Sequence, residues 1–114
     1  MVEGIYLITF RGLSDWGMGM LILDKQTVTG ADVGGALYDG KYNVSSENLH
    51  LDMELTVPPG VVLVQGVGPW SIPQKFPFAA DIPLHALTDS SPVRVDLPPG
   101  PVNVILKRLR QVGA

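Results

Sequence analysis

The sequence predicts an all-β protein, a small eight-stranded antiparallel barrel forming one domain over residues 1–114. Three observations carry this. Thirteen glycines and ten prolines are scattered as punctuation through 114 residues, with short runs rich in Val, Ile and Leu between them; that is the pattern of short strands joined by turns. No window sustains an apolar stripe of helical period for three turns. Residues 48–57 alternate without a fault: Leu49, Leu51, Met53, Leu55 and Val57 share one face, and Asn48, His50, Asp52, Glu54 and Thr56 the other.

The elements follow in order. Gly4 to Phe10 is the first strand, with Tyr6, Ile8 and Phe10 opposing Ile5, Leu7 and Thr9. Gly17 to Leu23 is the second, and neither strand has a polar side, so both faces need cover. One face turns into the barrel; the other must meet a partner, a helix or a long loop. Gly17 and Gly19 on one face predict curvature or a close backbone approach, and Trp16 is expected to close a barrel end. Asp24-Lys25-Gln26 is a turn, and Thr27 to Asp32 the third strand. Gly34-Gly35 marks a corner or bulge before a strand running from Tyr38 to Val44. Ser45 to Asn48 is a turn, and Asn48 to Val57 the amphipathic strand.

Two Pro-Pro-Gly corners follow, Pro58-Pro59-Gly60 before Val61 to Val64, and Pro98-Pro99-Gly100 before Val102 to Val104. Both read as strand–turn–strand units in which Gly supplies the positive φ. Gly66 to Pro83 is proline-rich and irregular, with edge pairing open to Gln74 to Phe78. Ile82 to Leu87 and Val93 to Leu97 are short strands. Val102 to Val112 begins with β-branched residues and is assigned as the final strand.

Net charge is −3, which argues against nucleic acid held on a basic surface. Charged residues make up 17% against roughly 25% in typical domains, while the apolar 46% is ordinary. A surface so short of charge points to partial concealment in a homodimer. The absence of cysteine removes disulfides and thiolate sites and fits a reducing compartment. Glu3 stands where the basic region of a secretory leader belongs, and no run reaches the ~20 apolar residues of a membrane helix. A cytoplasmic protein without membrane contact is the expectation.

Chemistry is sparse. His50, Asp52 and Glu54 on one strand face could hold a divalent metal or serve acid–base work, but residues two apart rise nearly 7 Å along a strand and need a further ligand. An open antiparallel face ordinarily carries such residues. His85 reads as structural. No Gly-x-Ser-x-Gly elbow occurs, and Gly17-x-Gly19 lacks the third glycine of a dinucleotide fingerprint. No enzyme, metal site or cofactor is expected. Tyr6, Ile8, Phe10, Leu21, Trp70, Phe76 and Phe78 are candidates to line a cavity for a small apolar ligand, or simply to fill the core. Ile5, Leu7, Met18, Met20 and Ile22 are the candidate dimer surface.

At Gly4-Ile5-Tyr6, Phe10, Gly17-x-Gly19, Gly30-Ala31-Asp32 and Tyr38-x-Gly40-x-Tyr42, order and spacing resemble the GrlR-like family. These are small bacterial proteins named for a negative regulator of type III secretion genes. The resemblance covers the first third of the chain, and more loosely Val102 to Leu109. Ala31 stands where the family has the second glycine of Gly-Gly-Asp. The resemblance implies a lipocalin-like eight-stranded barrel, often dimeric, with an apolar cavity. It also implies regulation by contact with a transcriptional activator, made through a Glu-Asp-Glu-Asp run after the fourth strand. The matching place here is Ser45-Ser46-Glu47-Asn48, with one acid where four are expected.

Overall fold

The structure, a computed structural model, describes residues 2–113. Eight antiparallel strands form a nearly closed barrel, as the sequence predicts: β1 (Gly4–Arg11), β2 (Trp16–Asp24), β3 (Thr27–Asp32), β4 (Leu37–Val44), β5 (Asn48–Val57), β6 (Gln74–Pro83), β7 (Val93–Leu97) and β8 (Gly100–Arg110), with one short helix, α1 (Leu84–Asp89), between β6 and β7. The sheet order is β6-β5-β4-β3-β2-β1-β8-β7. Each strand thus pairs with its sequence neighbour, and β1 pairs with β8, except that no ladder among the described residues joins β6 to β7.

Proline explains that gap. Pro77 lies opposite Glu54 and Pro83 opposite Asn48. Six residues apart, they turn their missing N–H groups to the same side, away from β5. A ladder with β7 would lack those donors, so β6 is an edge strand. The expected pairing of Gln74 to Phe78 is therefore the first half of a longer strand.

The alternation in β5 places Leu49, Leu51, Met53, Leu55 and Val57 in the interior, all buried. Leu49, Leu51 and Met53 share a cluster with Tyr6 and Ile8 of β1, Leu21 and Leu23 of β2, Val28, Ile82, Val95, Val102 and Leu106, while Leu55 and Val57 pack with Ala36. Glycines admit close approach where the strands need it. A Cβ on Gly19 would stand 2.5 Å from the Ala31 carbonyl oxygen, and one on Gly17 would stand 2.7 Å from the Phe10 ring.

Three expectations fail, each for a local reason. Val61 to Val64 is not a strand, because β5 already has β4 and β6 on its two edges. The first Pro-Pro-Gly therefore sends the chain away from the sheet, whereas the second turns the β7–β8 hairpin, with Leu97 opposite Gly100. Ile82 to Leu87 is not a strand of its own either: Ile82 and Pro83 end β6, and Leu84 to Leu87 are helical. The Leu84 N–H donates to the Glu47 carbonyl, and Leu84 to Asp89 wind into α1, which buries Ala86 against the core. Trp16 closes no barrel end; it starts β2 on the outer face, opposite Arg11, and is 60% exposed.

Candidate functional site

Two features are built by the fold: an apolar lumen and an apolar outer face. The lumen contains a cavity of about 90 Å³. Of the predicted lining residues, Ile8, Phe10, Leu21 and Phe78 line it. Tyr6 is buried in the core instead, its hydroxyl donating to the Val2 carbonyl at 2.6 Å. Trp70 and Phe76 pack on each other, ring centres 5.7 Å apart, in a second cluster with Ala36, Leu55 and Val57.

The sequence reading missed the polar end of this cavity. Asp32, at the end of β3, accepts hydrogen bonds at Oδ1 from the N–H groups of Gly34 and Ala36, 2.9 and 3.1 Å. At Oδ2 it accepts the Tyr38 hydroxyl at 2.6 Å. One side chain thus organises the turn between β3 and β4 and ties it to the lumen wall. Burial, and then the neighbouring Asp32 carboxylate, push the Tyr38 hydroxyl far above the ordinary tyrosine range. The signal was present in Asp32-Val33-Gly34-Gly35, an Asx-turn composition. Gln65 is the other polar lining residue, and its amide donates to the Gly100 carbonyl at 3.3 Å.

A segment without regular structure, residues 58–73, caps this end of the barrel. Leu63, Val64 and Gln65 from it line the cavity. The Val64 carbonyl accepts the N–H groups of Ser14 and Asp15 at 2.9 and 3.1 Å.

On the outer face Ile5 lies opposite Ile22, Leu7 opposite Met20 and Thr9 opposite Met18. The five predicted dimer-surface residues are thereby brought together, and Trp16 extends the row along β2. Ile105 adjoins Thr9 from β8; Ala31 and Leu37 continue the Met20 row across β3 and β4. Met20 is 45% and Ile22 39% exposed. Lys107 stands opposite Leu7 at one margin, and Asp39 opposite Thr29 at the other.

The polar face of β5 is not convergent. His50 contacts Asp81 across the β5–β6 ladder, Asp52 lies opposite Lys41, and Glu54 pairs with Lys75 at 3.7 Å. Among the described residues no three His, Asp or Glu side chains gather as a metal site would. His85 sits in α1, 3.2 Å from Asp89. The hydrogen bonds from Ser91 and His85 hold the Asp89 carboxyl below its usual range. Ser45, Ser46, Glu47 and Asn48 form an exposed turn, in which the Ser45 N–H donates to the Asn48 carbonyl at 2.9 Å and the Glu47 carbonyl receives the start of α1.

No known protein-family profile matches the chain, and no curated protein sequence matches it. No helix among the described residues is long and apolar enough to cross a membrane.

Proposed function

We propose that this is a non-enzymatic binding protein of the cytoplasm that works through contacts made by the outer face of its barrel, first with a second copy of itself. The observation that supports this is the row of Trp16, Met18, Met20 and Ile22 along β2, flanked by Ile5 and Leu7 on β1, with Thr9, opposite Met18, the one polar residue on that face of the two strands between Trp16 and Ile22. Exposed contiguous apolar surface of this kind is characteristic of interaction sites. A second copy suits it because a twofold axis parallel to the strands brings Lys107 on the β8 margin toward Asp39 on the β4 margin, where Lys41 also stands. Regulation by contact with a protein partner, a transcriptional regulator by the GrlR-like resemblance, builds on that homodimer. The Ser45 to Asn48 turn carries too little charge to serve as an acidic handle, and neither direct nucleic acid binding nor catalysis is part of this reading.

Light scattering at micromolar concentration is expected to give twice the 12.2 kDa monomer mass. Met20→Lys combined with Ile22→Lys is expected to give a folded monomer. A wild-type protein that remains monomeric overturns the proposal.

A second reading, a carrier or sensor of a small apolar ligand, is favoured by the cavity, whose walls are apolar apart from Asp32, Tyr38 and Gln65.

A further inference from the structure

The geometry points to a lumen that takes one small, uncharged, apolar molecule, the size of a single ring or short alkyl chain, admitted when residues 61–67 lift from the barrel end. This rests on the second reading above and commits it to a ligand class and an entry route.

Ligand class follows from the walls. The cavity's roughly 90 Å³ lies below the ~150 Å³ in which a dry apolar cavity holds benzene. Met53, an unbranched lining side chain, supplies the extra room by rotation. Water is a poor occupant, because it needs two to four polar partners. Here Asp32 already accepts three hydrogen bonds, the Tyr38 proton is committed and one Gln65 N–H goes to Gly100, so a water would find only the last Asp32 acceptor position and the rest of the Gln65 amide in an otherwise apolar wall. An anion would meet the Asp32 carboxylate and no cation, since no Lys, Arg or His is among the lining residues. A cation would find Asp32 with about one acceptor position left, the other three being taken by the chain itself.

The entry route follows from how the cap is held. Its tip is closed on itself, with the Leu63 N–H donating to the Val67 carbonyl at 2.9 Å and the Gly66 N–H to the Leu63 carbonyl at 2.8 Å. Its returning leg is fixed by the Gly60 N–H to the Trp70 carbonyl, and by Trp70 against Phe76. The tip's hydrogen bonds to the barrel are those at Val64 and Gln65. It can therefore swing as a unit about residues 60 and 70, exposing the lumen while the sheet stays intact. Irregular segments as long as residues 58–73 are uncommon in compact domains, and lids and binding loops are among the functional forms they take.

The chain has no cysteine, so the lid can be locked cleanly. A Cβ on Gly66 would stand 3.4 Å from the Ser14 Cβ, close to disulfide spacing. Ser14→Cys with Gly66→Cys can be compared oxidised and reduced, and the backbone strain at Gly66 is then common to both forms. The probes are fluorobenzene, 4-fluorobenzoate and 4-fluorobenzylammonium, followed by fluorine NMR on protein carrying carbon-13 methionine methyls. Fluorobenzene is expected to shift Met53 and leave Met18 and Met20 unmoved. Both charged probes are expected to bind at least tenfold more weakly. Fluorobenzene exchange is expected to slow at least tenfold on oxidation and recover on reduction. If fluorobenzene leaves Met53 unmoved, the second reading and this inference both fall. If it binds in the lumen but a charged probe binds as well, or oxidation leaves exchange unchanged, the ligand class or the lid falls while lumenal binding stands.

Discussion

Asp32 shows how much one side chain carries in this fold. Its two oxygens hold the β3–β4 turn and Tyr38 together, and Gly19 is needed so that β2 can lie against the Asp32 backbone. Gly19→Ala is therefore expected to cost about 1–3 kcal/mol by urea denaturation, because the colliding atoms belong to the β3 backbone. Tyr38→Phe removes the donor to Oδ2 and leaves the carboxylate short of a partner, an expected loss of about 1–3 kcal/mol at pH 7. The alkaline limb behaves in the opposite sense. Burial raises the folded-state pKa of both Tyr38 and Tyr6 above 10.0, so the native state keeps protons that the unfolded chain releases. That stability is whole below pH 10 and is lost as pH rises beyond it. In Tyr38→Phe the alkaline decline should be shallower by up to about 1.4 kcal/mol per pH unit. Denaturation midpoints of both proteins at pH 7, 9 and 11 check both parts, and an identical alkaline slope would refute the second.

Among the elements, the β2–β3 hairpin holds a correctable fault. Asp24 lies opposite Thr27, so Lys25 and Gln26 alone make the turn, and both have positive φ, 50° and 66°. Asn-Gly suits that geometry, whereas unbranched side chains cost roughly 1 kcal/mol each there. Lys25→Asn with Gln26→Gly is expected to raise stability by about 1–2 kcal/mol, read as a higher thermal midpoint; a fall would show that these side chains contribute more than their strain removes. Strands β1 to β5 were legible because short apolar or β-branched runs broken by turn residues mark them, with strict alternation in β5. Beyond Val57 the irregular residues 58–73 separate β5 from its partner β6. Val61 to Val64 has the composition of a strand but follows β5, whose two edges are already taken by β4 and β6, and β6 hides under its prolines because a strand at an edge needs donors on one side only. Helix α1 is six residues long, below the span at which periodicity is visible. The outer-face residues were legible by the same alternation, while Asp32 and Tyr38 were not, since their partnership depends on the turn between them closing.

For the whole molecule, the arrangement of charge decides how two barrels can meet. Two sheets packed face to face are related by a twofold axis lying between them. If that axis ran across the strands, Lys107 of one copy would face Lys107 of the other. If it runs along them, the β8 margin of each copy faces the β4 margin of its partner, and Lys107 approaches Asp39. Like charges disfavour the first arrangement, and the second gains two symmetric rim pairs of roughly 0.2–1 kcal/mol each. Lys107→Asp and Asp39→Lys should each weaken the dimer several-fold, whereas the two together should return it to near the wild-type dissociation constant. Sedimentation equilibrium at 0.05 and 0.5 M salt supplies the constants, and the single-variant penalties should shrink at high salt through screening. A double variant weaker than either single one would mean that like margins meet, and the axis would have to be redrawn across the strands with the apolar row still as its centre.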